Sequence, residues 1–563
     1  MLTNEGIINT FLEAGITRGF TLPGLGITWS LPAFHERRDE FDVVLARSEQ
    51  SASIMAQVAG KMTGQPGLFM AQGPFATSTG AFGILEAYFS STPMVILTDT
   101  SCYDGFAQHG VYQTMTGDYG AADAFAVLKT MTKYATYATT PAEAIYGAQL
   151  AVKHASTPRQ GPAAIIMRSN IIKQEVPDEM RARLYPTEGY LKHTPPKVDS
   201  DAVSKISDVL GKAKQPVMII GNGVYSSKCG PSIQKFAEQN GIAVASSYHG
   251  KGTIDETTDI AVGMMGTWGS AAANRMVQAA DVLLVMGCSL GPEYTRFRDE
   301  KMIRPEDQTI IQVDIDPLQS GWVVPVDMAV NGDVSEVAGI LVNTRPHDVD
   351  LVSLRKKTIA RIKLENDYGV LPSIPTRSGT VHYADIMRGL QNFLTDDDLL
   401  TLDAGTNRIW ATTRLPLRSS NQLVAPGGIG GMGWSTPAAT GAKIVAPEKR
   451  VTGVIGDGGF VMTMDAIATA SERNLDVVYV VANNAGLGMV RDNLGNQRIG
   501  VDFADHDFTK VAEGLGGRGL TVTEPDQMTD ALEEAHKLGG PVLIDVKVDP
   551  AASHRDCSDY ADL

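Results

Sequence analysis

Asp457 and Asn484 are the residues whose types and spacing most directly point to chemistry. The stretch 451–488 reads VTGVIGDGGFVMTMDAIATASERNLDVVYVVANNAGLG. An apolar run, Val451–Ile455, ends in Gly456-Asp457-Gly458-Gly459, and a helix-like segment follows. A second apolar run, Val477–Ala482, ends in Asn483-Asn484-Ala485-Gly486. This order is strand, glycine turn, helix, strand, polar turn. If the strands are parallel neighbours, both turns lie at the carboxyl edge of one sheet, where α/β folds bind ligands. One carboxylate, one amide oxygen and a loop carbonyl are hard oxygen ligands of the kind that suit Mg²⁺ alongside a phosphate. The glycines let backbone N–H groups approach a diphosphate at a helix N-terminus.

The rest of the chain must position that stretch. Its 563 residues, 43% hydrophobic, are enough for about three domains with large cores. In the first domain, 1–180, strands Gly19–Leu22, Asp42–Ala46, Gly67–Ala71 and Met94–Thr98 alternate with helices at Thr3–Ala14, Ser51–Gly64 and around Gly80–Tyr88, the pattern of a parallel α/β sheet. A proline-rich polar stretch, Val176–Lys197, marks a boundary. The second domain, 198–345, has apolar strands Pro216–Ile220, Val282–Met286 and Ile310–Asp314. A second linker, Pro346–Thr380, includes a charged helix, Val352–Tyr368. The third domain, 381–563, holds strand Leu399–Leu402, the turn Asp403–Asn407 with donors for phosphate, and the run Gly427–Trp434, whose glycines permit close approach to a ring. The expected fold is α/β, with three doubly wound parallel-sheet domains.

A formal charge of −16 argues against nucleic acid or an anionic membrane as a partner. Cys102, Cys229, Cys288 and Cys557 are scattered without metal or disulfide spacing, which fits a reducing, cytoplasmic setting. The segment MLTNEGIINTFLEAG reads as an amphipathic helix closed by Gly15 and not as a signal peptide, and no apolar run approaches the ~20 residues of a membrane span.

The Gly-Asp-Gly turn, its spacer and the Asn pair resemble the fingerprint of thiamine diphosphate (ThDP) enzymes, and the 27-residue step from Asp457 to Asn484 is the one that family shows. Arg47-Ser48-Glu49-Gln50 before a small-residue helix resembles the segment carrying the family's essential glutamate; on residue chemistry alone Glu49 is a helix N-terminal acid favoured by the dipole. The likeness runs domain for domain along the acetohydroxyacid (acetolactate) synthase branch. Leu22-Pro23-Gly24-Leu25 stands where those enzymes have Tyr-Pro-Gly-Gly, and Gly73-Pro74-Phe75-Ala76-Thr77 where they have Gly-Pro-Gly-Ala-Thr. His109–Gln113, the segment at Lys133, Gly263–Gly269, Asp314–Pro317 and Gly332–Val334 follow the same order.

The resemblance implies pyrimidine-binding, central and diphosphate-binding domains. It implies that Asp457, the Asn484 side chain and the Gly486 carbonyl hold Mg²⁺, and that Gly405, Thr406, Asn407, Gly456, Gly458, Gly459, Leu487, Gly488 and Met489 surround ThDP. Met432 would wedge the cofactor into its bent shape, with backbone near Gly430 and Met432 at the pyrimidine edge. Glu49 would exchange a proton at the pyrimidine ring, helped by an apolar pocket, and Gln113 would touch substrate or intermediate. A homodimer is the minimum unit, because each cofactor lies between two chains; a homotetramer is common in the family. The implied activity is ThDP- and Mg-dependent C–C lyase or carboligase chemistry on a small 2-oxoacid such as pyruvate, through an enamine–carbanion. The alternatives are a 2-oxoacid decarboxylase, a lyase of 2-hydroxy ketones, diketones or 2-hydroxyacyl-CoA, and a catalytically silent ThDP-binding relative.

Departures bear on the substrate. Leu25 and Phe75 replace glycines at the pocket wall, and Asn493 stands where the synthases carry a tryptophan that helps select the acceptor. Arg491 reads as a partner for a substrate carboxylate or as a solvated helix residue, and His109 as a base or as a structural or surface histidine. Gly287–Gly291 stands where FAD-binding members place arginines, so the central domain either binds FAD or braces its neighbours. The tail, Ala551–Leu563, is a lid or a frayed end.

Overall fold

The computed structural model describes residues 1–101, 113–118, 120–192 and 197–557. Three six-stranded sheets follow one another along the chain. The first contains β1 (Arg18–Leu22), β2 (Asp42–Leu45), β3 (Gly67–Ala71), β4 (Met94–Asp99), β5 (Tyr134–Ala138) and β6 (Pro162–Met167). The second contains β7 (Pro216–Ile220), β8 (Ala243–Ser246), β9 (Ala261–Met264), β10 (Val282–Met286), β11 (Thr309–Asp314) and β12 (Met328–Asn331). The third contains β13 (Asp398–Leu402), β14 (Leu423–Val424), β15 (Arg450–Gly456), β16 (Val477–Asn483), β17 (Arg518–Val522) and β18 (Val542–Lys547). Every pairing between these strands is parallel. β3 and β16 are buried at every position, as strands covered on both faces must be.

The first and third sheets share one topology: β2-β1-β3-β4-β6-β5 in one, β14-β13-β15-β16-β18-β17 in the other. In each, the strand order reverses between the first and third strands of the unit, which opens a crevice at the carboxyl edge. The turns beside it are Gly24–Gly26 and Gln72–Phe75 in the first unit, and Asp403–Thr406 and Gly456–Gly459 in the third.

These two units share a core. The Glu49–Thr63 helix is capped by Ser48, whose hydroxyl accepts from the Ser51 N–H at 3.1 Å, and is buried from Ser51 to Lys61. Ile54 and Val58 pack with Ala438, Ala439 and Ala442 of the Ser435–Val445 helix. Small residues make this approach possible: a Cβ on Gly441 would sit 3.1 Å from the Met55 Cα.

Both expected linkers are more firmly held than their composition suggests. Val176 and Thr187 are buried, the Gln149 Nε2 donates to the Tyr185 carbonyl at 2.7 Å, and the Thr187 N–H donates to Glu13 at 2.8 Å. The charged helix runs Val349–Glu365 and belongs to the second unit. Its Arg355 is fully buried and donates to the carbonyls of Leu210 (2.8 Å), Asn240 (3.0 Å) and Ala213. The described part of the tail, to Cys557, is docked: Trp410 Nε1 donates to the Ser553 carbonyl at 3.1 Å, and His554 meets Asp492 at 2.7 Å. Among the described residues no helix is long and apolar enough to cross a membrane.

Arg355→Leu would leave three buried carbonyls without their donor. A loss on the order of 3 kcal/mol is expected, read as a lower urea midpoint for the central unit.

Candidate active site

β15 and β16 are in register, with Gly456 opposite Ala482, so the two polar turns meet at one edge as their sequence implied. Asp457 opens the Asp457–Thr463 helix and is only 3% exposed. One carboxylate oxygen accepts from the Gly458 N–H at 2.7 Å, and the other from the Gly486 N–H at 3.0 Å. The side chain therefore stitches the two turns together. Burial pushes its pKa up from 3.8 to about 6, although these N–H groups and Arg491 oppose the shift.

Asn484 is buried, and among the described residues its Nδ2 has no hydrogen-bond partner. A Cβ on Gly488 would lie 2.7 Å from that nitrogen and 3.1 Å from the Thr406 hydroxyl, so only glycine leaves the gap open. Thr406 begins the Thr406–Arg414 helix after Gly405, whose φ of +111° excludes most side chains. A Cβ on Gly458 would fall 3.0 Å from Leu487, 3.1 Å from Phe503 and 3.3 Å from Met432. The structure thus gathers Asp457, Gly458, Asn484, Gly486, Leu487, Gly488, Thr406 and Met432 around one cleft. Gly456 and Gly459 flank Asp457 in the same turn. Among the described residues no set of three His, Cys, Asp or Glu side chains could hold a metal unaided. A cation at Asp457 would need oxygens from a bound phosphate. Hard oxygens at Asp457, Asn484 and Gly486 suit Mg²⁺, and the unpartnered Asn484 Nδ2 is a donor fitted to a phosphate oxygen.

Asp403 organises this cleft, and the sequence reading missed its role. It is fully buried at the end of β13 and accepts from the N–H groups of Gly433 (2.9 Å), Trp434 (3.2 Å) and Ala404 (2.9 Å). Burial pushes it up to about 6 as well. The available signal was an aspartate at the carboxyl end of an apolar strand, the same placement as Asp457. Asn407 donates to the carbonyls of Asp403 (3.2 Å) and Val454 (3.3 Å), so its amide nitrogen fastens β13 to β15. Met489 is half-buried and rests against the third unit's apolar core.

Other expected residues lie apart. Glu49 is half-buried on the first unit and accepts from the Thr79 hydroxyl at 3.1 Å; among the described residues no hydrogen bond or ion pair joins it to the third unit. Gln113, at φ +61°, accepts from Gln72 Nε2 at 3.0 Å. Gln72 also donates to Ser101 (2.9 Å) and accepts from the Leu25 N–H (3.1 Å). Leu25 is 46% exposed, Phe75 half-buried and Asn493 exposed, while His109 lies outside the described residues. Arg491 is neither solvated nor turned toward a substrate. Buried at 3% exposure, it donates to the carbonyls of Asn484 (3.2 Å), Ala485 (2.8 Å) and Pro550 (3.2 Å) and pairs with Asp502 at 2.9 Å. Its length lets it reach back under the polar turn, whose free carbonyls need donors.

Comparison with known sequences assigns the family. Residues 1–122 match the thiamine pyrophosphate enzyme N-terminal TPP binding domain, 203–341 its central domain and 403–546 its C-terminal TPP binding domain. The chain belongs to the thiamine pyrophosphate (thiamine diphosphate) enzymes. Within them it falls in the acetolactate synthase-like branch. It is 29% identical to a probable acetolactate synthase large subunit of Methanocaldococcus jannaschii over 97% of this chain and 92% of that protein. It is 25% identical to an acetolactate synthase of Bacillus subtilis over 97% and 93%.

The folded-state pKa of Asp457 lies above its unfolded value, so this carboxyl's contribution to stability falls as pH rises from about 4 to about 6. Asp457→Asn removes that penalty but loses an acceptor. The variant without cofactor should be more stable than the parent above pH 7, by on the order of 1–2 kcal/mol, with the difference vanishing near pH 4. Mg²⁺ with ThDP should raise the melting temperature of the parent only. Thermal melts across pH, with and without both ligands, check this.

Proposed function

We propose that this enzyme is a Mg²⁺- and ThDP-dependent C–C lyase or carboligase of the acetolactate synthase type, acting on a small 2-oxoacid such as pyruvate. The observation that carries the reading is the unpartnered Asn484 Nδ2, a donor left for a phosphate oxygen, beside buried Asp457 in a glycine-lined gap between turns of adjacent parallel strands. Asp457, Asn484 and the Gly486 carbonyl would hold the cation, and Gly405, Thr406, Gly458, Gly459 and Gly488 would surround the diphosphate. Met432 and the backbone at Gly430 would meet the pyrimidine. When bound, ThDP supplies a carbon nucleophile and an electron sink for the bond broken beside a carbonyl. Glu49 holds and returns a proton at the pyrimidine ring.

Because, among the described residues, no hydrogen bond or ion pair joins the Glu49 carboxylate to the Asp457 group of its own chain, the reading sets it opposite the Asp457 group of a second subunit. A dimer is the smallest assembly with complete sites under this reading, and the acidic surface and even scatter of cysteines suit a cytoplasmic enzyme.

The side chains at Leu25 and Phe75, where the synthases carry glycine, favour a second outcome within the same chemistry: a narrower acceptor space, with the product released as an aldehyde. The central unit borders a cavity of about 710 Å³ that includes Arg159, Asp314, Asp333 and Arg408, large enough for a dinucleotide. Arg159 already faces Asp316 at 3.6 Å and Ser91 at 2.6 Å. FAD in this cavity is a separable part of the reading: purified protein with flavin absorbance supports it, and colourless protein active with ThDP alone removes it.

Purified protein with ThDP and Mg²⁺ should release CO₂ from pyruvate, and Glu49→Gln should lower the rate by about 10²–10⁴-fold. Acetolactate as product marks a synthase and acetaldehyde a decarboxylase. No release from ThDP-loaded protein would exclude pyruvate and turn the assignment to larger 2-oxoacids and 2-hydroxy ketones. Mixing inactive Glu49→Gln and Asp457→Asn chains under subunit exchange should restore roughly a quarter of parental activity, since half of random dimers carry one intact site. No recovery, with exchange shown by mass spectrometry, would place both residues in one chain.

A further inference from the structure

One buried carboxylate of the first unit grips four consecutive backbone N–H groups of the third. Glu86, on the Ala81–Phe89 helix, is fully buried. One of its oxygens accepts from Gly427 (2.9 Å) and Gly428 (2.8 Å), the other from Ile429 (2.9 Å) and Gly430 (3.3 Å). A carboxylate has about four acceptor positions, so this one is filled. The same face of the helix, at steps of four and three, presents Phe82 and Phe89. A Cβ on Gly431 would meet the Phe82 ring at 2.6 Å, and one on Gly428 would meet the Phe89 Cβ at 2.9 Å. The glycines of this run are therefore fitted to that helix face as well as to any ligand.

The far end of the run is held separately. Asp403 takes the N–H groups of Gly433 and Trp434, and Gln57 Oε1 accepts from the Trp434 indole at 3.2 Å. Between the two anchors, no hydrogen bond among the described residues engages the N–H of Gly431 or Met432. The anchoring leaves unpaired the short segment that the functional reading assigns to the pyrimidine. Near Glu86 lies one buried ammonium, Lys61, which touches His249 Nδ1 at 3.2 Å and sits 4.5 Å over the Tyr225 ring. Burial pulls Lys61 down to about 8, and the Glu86 charge opposes that fall.

We propose that Glu86 is a positioning residue: from the first unit it presets the Gly427–Gly430 backbone of the third, so that the adjoining Gly431–Met432 segment is aligned for the cofactor before the cofactor arrives. The proposal rests on the ThDP reading of that segment. It differs from a purely structural clamp because its effect falls on cofactor affinity. A glutamine in place of Glu86 keeps the shape but has one acceptor oxygen, and its NH₂ confronts two of the four N–H groups.

The test compares parent, Glu86→Gln and Glu86→Asp by hydrogen–deuterium exchange over 425–436 and by calorimetric titration of ThDP with excess Mg²⁺. In the ligand-free parent the amides of Gly427–Gly430 should exchange slowly. In Glu86→Gln they should exchange rapidly while β15 stays protected, and the ThDP dissociation constant should rise by about tenfold or more. Glu86→Asp should fall between. Saturating ThDP should return kcat of Glu86→Gln to near the parental value, which a misfolded site would not allow. Rapid exchange at Gly427–Gly430 in the parent overturns the proposal without any variant. So does unchanged ThDP affinity in Glu86→Gln, or a lowered melting temperature as its sole defect. If the parent itself binds no ThDP, the functional reading fails, while the exchange data still report on the clasp.

Discussion

Glycine turns leave backbone N–H groups pointing inward, and in this protein buried carboxylates receive them. Asp403 and Asp457 in the third unit, and Asp99 and Glu86 in the first, are each at most 3% exposed. Asp99 accepts from Ser101 (2.8 Å) and Gly73 (3.3 Å), at the turn that carries Phe75. A desolvated charge is tolerable only when such dipoles surround it, and a buried N–H is tolerable only when it finds an acceptor. Each side of the contact therefore fixes the other. Burial raises the pKa of Asp99, Asp403 and Asp457 in spite of those donors, so the balance is close and each turn is held under electrostatic tension. A cation beside Asp457 would relieve it.

The shared topology of the first and third sheets gives this constraint its geometry. Asp99 in the first unit and Asp403 and Asp457 in the third stand at the carboxyl ends of their strands, and both units bring glycines to that edge. In the third unit that edge carries the Asp457 and Asn484 turns, and in the first unit a half-buried glutamate and a glutamine chain from Leu25 through Gln72 to Gln113. The Glu49–Thr63 and Ser435–Val445 helices weld the two units through small residues, and the hydroxyls of Ser48 (2.9 Å) and Ser51 (3.1 Å) beside Glu49 donate to Asp465 of the third unit.

Much of this was legible in the amino-acid order. Continuous apolar runs bounded by glycine located the central strands to within a residue or two, because parallel strands buried on both faces cannot hide their hydrophobicity. The Asp457–Asn484 spacing located two polar turns that meet at one sheet edge, because it reflects one strand–helix–strand crossover. What depended on long-range partners was not legible. Arg491 carries the same charge whether it meets a substrate or the carbonyls of its own turn, and only the fold selects the latter. Glu86 reads as an ordinary helical acid until residues more than three hundred positions away arrive at its carboxylate. The linkers looked polar by composition, yet Arg355 is buried because three carbonyls of the second unit await it.

That distance has a consequence for how the protein is made. Glu86 emerges from the ribosome 341 residues before Gly427. At typical elongation rates of about 5–20 residues per second, the first unit exists for roughly 20–70 s before its clasp can close. During that interval the Phe82–Glu86–Phe89 face and the Ile54–Val58 stripe have no native cover. The nascent chain therefore presents an apolar surface with a charge at its centre, and that charge, which the finished protein buries, keeps the surface hydrated until the third unit is complete.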